Sequence, residues 1–219
     1  MARSYAQLCG IATGLDLIGD RWSLLVIRDL LLGPLRFGDL ADGLPGIGTN
    51  TLAARLKALE ETNVIARRAA PLPERGTVYE LTDYGRELEP ILMALGRWGA
   101  RSMGRLPDGT TSRSRWLVAA MLAFRNESAH VPRPTTWALQ LSDGAFSVHA
   151  EGHRVTITAG EPERPQAIVS TSDDTLHRLL TGQLAAEAAL NEGSVHVDGQ
   201  SRALTTLLTL FRFPATVAP

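Results

Sequence analysis

The 219-residue chain predicts an α+β protein in two parts. In the first, apolar residues recur at helical spacing and then give way to one pair of strand-like runs. In the second, an apolar helix is followed by a switch to period two for several strands, and helices return afterwards. Between them GRLPDGTTSRS is polar and turn-rich, a linker by composition. The expected organisation is a helix-and-hairpin domain at 1–104, a linker at 105–114, and an antiparallel sheet covered by helices at 115–219.

In order, LCGIATGLDLI places Leu8, Ile11, Leu15 and Ile18 at helical spacing, giving a first amphipathic helix that Gly19 breaks. Asp20 is expected to cap a second helix, RWSLLVIRDLLL, apolar on most of its circumference and ended by Gly33-Pro34. RFGDLADGL gives a short third helix with Phe37, Leu40 and Leu44 inward. After the turn LPGIG, Gly48 or Thr49 caps a fourth, TNTLAARLKALEET, striped by Leu52, Leu56 and Leu59. At 100° per residue Asn50, Ala53, Ala54 and Lys57 fall opposite that stripe, with Thr51 and Arg55 on its flanks. Val64–Ala69 and Thr77–Leu81 read as a hairpin around APLPERG, its long tip region bearing Arg67 and Arg68 just before that turn and Arg75 within it. Thr82 then caps a long helix with Leu88, Ile91, Leu92, Leu95 and Trp98 on one side, and Pro90 predicts a kink or a late start.

A helix-turn-helix followed by a hairpin is the winged-helix plan, in which the second helix of the pair enters the major groove. The long helix after the wing has an apolar face with no partner in so small a unit, which suits a homodimer element. Charge gives little help. Up to Arg105 there are 13 basic and 12 acidic residues; after it, 9 and 11. Binding to double-stranded DNA would therefore rest on local clustering. Lys57 is the only lysine.

These segments resemble the HxlR-type regulators, winged-helix relatives of the MarR group. The matching residues are Cys9 ahead of LDLIGDRWSLLVIRDLL, then GPLRFGDL, LPGIGTNTLAARLKALEE, VYELTDYGREL and the closing LGRWG, covering residues 5–104. The family commonly has lysine before the tryptophan; here Arg21 precedes Trp22, which keeps the charge. The resemblance implies operator binding as a dimer and a response to small molecules or oxidants. Carried across, Thr49, Asn50, Thr51, Ala54, Arg55 and Lys57 would face the groove, with Arg36 and the wing arginines Arg67, Arg68 and Arg75 on the backbone. The plain alternatives are that Arg55 pairs with Glu60 or Asp39, and that Arg67 and Arg68 only solubilise an edge strand. Cys9 is the one cysteine, which excludes an intrachain disulfide. It is either a redox sensor, as in some family members, or a small buried hydrophobe.

In the second part RWLVAAMLAFRN is an apolar helix; TTWALQL and AFSVHA alternate around Asp143-Gly144, a hairpin signal; HRVTITA and QAIVSTS add two strands. Ser172 or Asp173 caps DTLHRLLTG, and LAAEAALNEG, SVHVDG and SRALTTLLTLFRF follow as helix, strand and helix. The run from IVSTSDDTLHRLLTG to TTLLTLF resembles the sterol carrier protein domain, which implies an apolar pocket. Pocket candidates are Trp116, Met121, Phe124, Trp137, Phe146, Leu176, Leu180, Leu184, Leu207 and Phe211, most of them expected in the core.

No glycine-rich phosphate loop, serine elbow or cysteine–histidine pair has a sensible context, so an enzyme is not expected, nor a cofactor. His149 and His153 stand four apart but bracket a strand-to-strand turn, which argues against a metal. MARSYAQLCG lacks a signal-peptide core and no run reaches transmembrane length, so a cytoplasmic protein without a membrane role is expected. The leading reading is a ligand-responsive dimeric DNA-binding repressor with an apolar small-molecule effector in the C-terminal domain. The alternatives are a thiol-based regulator acting through Cys9, and a lipid-binding protein whose winged helix serves dimerisation.

Overall fold

The computed structural model describes residues 4–70, 75–102, 112–200 and 202–214. The expected linker positions 105–111 and the wing-tip residues 71–74 lie outside the described residues. The chain divides into two compact units, Met1–Leu92 and Met93–Pro219, and each is described by itself.

The first unit holds α1 (Gly10–Ile18), α2 (Ser23–Leu30), α3 (Phe37–Gly43), α4 (Thr49–Glu61), β1 (Ile65–Ala69), β2 (Thr77–Leu81) and α5 (Asp83–Arg86). Its core is Val26, Ile27, Leu30, Leu32, Leu40, Leu44, Leu52, Leu56, Leu59, Val64, Ile65 and Leu81, all buried. Leu52, Leu56 and Leu59 come from one stripe of α4, so its opposite face is left to solvent. The helix stops where Asn63 adopts φ 57° and the Val64 N–H turns back to the Leu59 carbonyl at 2.9 Å. β1 and β2 pair antiparallel, Ile65 opposite Leu81 through Ala69 opposite Thr77. Leu35 adds a bridge to Tyr79, with both backbone bonds made, which ties the stretch between α2 and α3 to the wing.

One expectation changes here and another takes a definite form. Asp20 does not cap α2: the helix begins at Ser23, and Trp22, at φ 83°, occupies the N-cap position. A bulky residue in the left-handed region is a strained choice, so packing must hold it there. The long helix after the wing is split. Thr82 caps α5 as expected, accepting from the Gly85 N–H at 2.9 Å, while its own hydroxyl donates to the Asn63 carbonyl at 2.6 Å. The chain then restarts as α6 (Glu89–Ala100), with Pro90 in its first turn, where a missing N–H costs nothing. Gly85 is required at the seam: a Cβ there would lie 2.0 Å from the Val64 carbonyl oxygen.

The helix α6 spans the division between the units. The rest of the second unit is α7 (Ser114–Ala123), β3 (Val131–Leu141), β4 (Gly144–Gly152), β5 (Arg154–Ala159), β6 (Ala167–Thr171), α8 (Asp173–Leu180), α9 (Ala186–Asn191), β7 (Val195–Gly199) and α10 (Arg202–Thr209). The strands form one sheet in the order β5-β4-β3-β6-β7. Three pairings are antiparallel; β3 and β6 run parallel, Trp137 opposite Ala167. Two reversals leave β5 parallel to β3. The connection 160–166 then carries the chain back across the sheet, so β6 enters in that same direction. Pro132 and Pro134 fall where the β3–β4 register shifts, between Val131 and Thr135, which is where a strand tolerates proline.

Trp137, Leu139, Phe146, Val148, Val155, Ile157 and Val169 fill one face of the sheet, and Leu117, Met121, Leu176, Leu204 and Leu207 are buried on the helices. Ser172 caps α8 by accepting from the Thr175 N–H at 3.1 Å. The fully buried Ser114, at the start of α7, donates to Asp173 at 2.6 Å and accepts from the Asp143 N–H at 3.0 Å. These bonds join the helix to the β3–β4 turn and to α8.

Candidate nucleic-acid interface

The solvent face of α4 carries Thr49, Asn50, Thr51, Ala53, Ala54 and Lys57, all exposed, with Arg55 half-buried on its flank. The buried leucines fix which side of the helix turns outward, so the sequence placed this face correctly.

Four of the cations around it, Arg36, Arg55, Lys57 and Arg68, are engaged with other groups of the same unit. Arg55 Nη1 forms an ion pair with Asp20 Oδ2, neither of the partners weighed from sequence. Asp39 instead accepts from the Arg36 N–H at 3.0 Å at the start of α3. The Arg36 guanidinium reaches the wing and donates from Nη1 to the Arg75 carbonyl at 2.6 Å. Gly76 makes that approach feasible: at φ +116° it favours glycine, and a Cβ there would sit 2.7 Å from Arg36 Nη1. Arg68 pairs with Glu80 diagonally across the hairpin. Arg67 stands opposite Tyr79 and is exposed, as is Arg75. Lys57 and Glu61 form an exposed i,i+4 pair at 3.7 Å. Much of the basic charge is thus offset in place, in keeping with the near-zero charge of the sequence.

Sequence reasoning missed Asp20, Trp22 and Glu80 as parts of this surface. Trp22 bears the Arg21 guanidinium over its ring at 5.3 Å. Its Cη2 lies where a Cβ on Gly46 would meet it at 3.9 Å, so the ring packs beside the turn that leads into α4. The only cue in the sequence was the tryptophan itself, a large apolar group just after an exposed turn. Asp29 was also missed: it is buried and paired with Arg28 Nε at 2.8 Å.

Cys9 is exposed at the N-cap of α1 and free of any disulfide, so within the single chain it is not a small buried hydrophobe. Among the pocket candidates, Met121, Trp137, Phe146, Leu176, Leu180, Leu207 and Phe211 are buried, while Trp116, Phe124 and Leu184 are half-buried. Trp137 Nε1 donates to the Ala203 carbonyl at 3.0 Å, and Phe124 packs on Phe213 with centroids 4.7 Å apart. An open cleft of about 430 Å³ lies elsewhere in this unit, among Arg125, Asn126, Glu127, His153, Arg154 and Val155. His149 and His153 have separate partners, Thr136 Oγ1 at 2.9 Å and the Ala129 carbonyl at 2.8 Å. Among the described residues no group of His, Cys, Asp and Glu could hold a metal ion, and no helix is long and apolar enough to cross a membrane.

A helix pair with a stitched hairpin and an outward-facing second helix defines a winged helix-turn-helix DNA-binding unit. Comparison with known proteins narrows the class. An HxlR-like helix-turn-helix model matches residues 17–106, and an SCP-2 sterol transfer family model matches residues 122–212. An HTH-type transcriptional regulator of Synechocystis is 43% identical over 95 residues, covering 43% of this chain and 70% of that protein. A Mycobacterium tuberculosis regulator is 36% identical over 99 residues, covering 45% of this chain and 61% of its own length. YodB of Bacillus subtilis, an HTH-type transcriptional regulator, is 34% identical over 83 residues, 38% of this chain and 74% of YodB. The solved reduced form of YodB aligns at 28% identity over 46% of this chain and all of that one, with a TM-score of 0.39. The chain belongs to the HxlR-like helix-turn-helix family of transcriptional regulators, and it carries an SCP-2-type domain in its C-terminal half.

Proposed function

We propose that the chain acts by binding rather than catalysis, as a homodimeric repressor whose C-terminal domain, 115–219, takes up an apolar small molecule. The observation that carries the DNA-binding part is the exposed face of α4, Thr49 to Lys57, backed by a buried leucine stripe and flanked by the wing. Thr49, Asn50, Thr51, Ala54, Arg55 and Lys57 would meet the groove, and Arg36, Arg67, Arg68 and Arg75 the backbone. Dimerisation is supported by apolar faces without cover. On α1, Ile11 is 77% exposed and Leu15 is exposed beside it, as is Leu8 just before the helix; on α6, Trp98 is 69% exposed, with Ile91 and Leu95. Such faces mark interfaces when they are contiguous. An effector would act only as far as its affinity differs between the DNA-bound and free conformations.

The test is fluorescence anisotropy of the full chain with a duplex from the promoter of its own gene. Specific binding should weaken steeply with salt, the slope of log K against log salt being about −0.9 per neutralised phosphate. Asn50→Ala with Arg55→Ala should lower affinity about tenfold or more, from the roughly 1–3 kcal/mol that each base contact contributes, with melting unchanged. Absence of specific binding at low salt would leave the lipid-binding alternative in its place.

A second reading is favoured by the exposure of Cys9. A thiol open to solvent at a helix start can be oxidised to a mixed disulfide or an intersubunit one. If Cys9 senses oxidant, Cys9→Ser should abolish any oxidant-induced release from DNA; release that survives the substitution removes the thiol from the account.

A further inference from the structure

We infer that Asp20 is a specificity-determining positioning residue of the reading head: it grips Arg55 by one edge of the guanidinium and presents the other edge to a guanine. The inference rests on the DNA-binding reading above. Arg55 lies in mid-α4, between the buried stripe and the exposed face, and its side chain is 22% exposed against 69% for Asp20. The arginine is therefore largely sheltered by the fold and tied to a carboxylate that itself stands mostly in solvent. The pair is made through Nη1, and a guanidinium carries five N–H donors, so donors remain for a second partner.

The grip has a rigid base. Asp20 belongs to a turn closed by the Ser23 N–H on its carbonyl at 3.1 Å, and two residues on Trp22 takes φ 83° with its ring beside the turn before α4. The same short segment thus lies beside the turn that leads into α4 and pairs with the middle of that helix. An arginine fixed in this way has already surrendered the rotamer freedom that a loose one gives up on binding.

Charge decides which partner suits it. A guanidinium paired with a carboxylate is close to neutral as a unit and gains little from a phosphate. Its remaining fork still matches O6 and N7 of guanine, which is a matter of geometry more than net charge. Lys57–Glu61 on the same helix provides the contrast: a point charge in a solvated pair with 77% and 64% exposure, which orients nothing.

The two pairs supply a charge-matched experiment. Duplexes are selected from a randomised library with the full-length wild-type chain, and affinities are measured for a selected duplex and for a scrambled one of equal composition. Glu61→Gln removes one negative charge beside α4 and should tighten both duplexes by the same factor. Asp20→Asn removes one as well and should tighten the scrambled duplex similarly. It should nevertheless lower the selected-to-scrambled ratio about tenfold, with the preference lost at guanine positions. Arg55→Lys, which keeps the charge and lacks the fork, should lose the same preference, and so guards against a folding defect in the Asp20 variant. If Asp20→Asn behaves like Glu61→Gln, with the ratio unchanged, Asp20 contributes only charge and the inference is overturned. A wild type that selects no duplex at all overturns the DNA-binding reading, and this inference with it.

Discussion

Replacing Ile11 and Leu15 together by glutamate is expected to convert the proposed dimer into monomers and to lower affinity for a two-half-site duplex by about 10²–10⁴-fold. Both side chains are exposed on α1, so the charges enter solvent in the isolated chain and should leave its folding intact. In a dimer they would be buried against an apolar surface, where an unpaired charge is costly. The loss in DNA affinity arises because the second half-site is held at high effective concentration only while the subunits are joined. Sedimentation velocity and anisotropy measure the two effects separately. A variant that remains dimeric would show that α1 lies outside the interface and move attention to Trp98 and Leu95 on α6.

Trp137→Ala should produce the largest loss of stability in the second unit. The indole is 1% exposed at the centre of β3, and its Nε1 donates to the Ala203 carbonyl at the start of α10. Removing a fully buried tryptophan costs about 3–5 kcal/mol, a large share of the ~5–15 kcal/mol that holds a typical domain. Trp137→Phe keeps most of the apolar contact but leaves that carbonyl without its donor, at a cost of about 1–3 kcal/mol. Calorimetric melting of the full chain should show the transition of this unit falling in the order wild type, phenylalanine, alanine. If both variants melt with the wild type, Trp137 lines an open pocket and does not hold the core together. Such a result would favour its role as a ligand contact.

Local periodicity made much of this protein legible. The α4 stripe, the hairpin, the caps at Thr82 and Ser172 and the restart at Pro90 all depend on residues within about one turn of each other. So did the family resemblance, which rests on short motifs in a fixed order. The exposed face of α4 followed from the same stripe, because burying one side of a helix determines what the other side offers.

Long-range partners were less accessible. Asp20 looks like a helix cap on spacing alone, yet α2 begins only at Ser23 and the Asp20 carboxylate pairs with Arg55, 35 positions along the chain. Arg36 finds the Arg75 carbonyl 39 residues away, through a backbone acceptor that no side-chain pattern announces. The parallel pairing of β3 with β6 depends on where the 160–166 connection crosses, which alternation within strands does not encode. Cys9 could be buried or exposed on local pattern alone; the fold leaves it exposed at the N-cap of α1. The sequence by itself determined the elements, their order and the face that α4 leaves to solvent, since these depend on neighbours along the chain. Tertiary structure decided which cations stay loose and which are already held, because a charge pairs with whatever the fold brings within about 4 Å, regardless of separation in sequence.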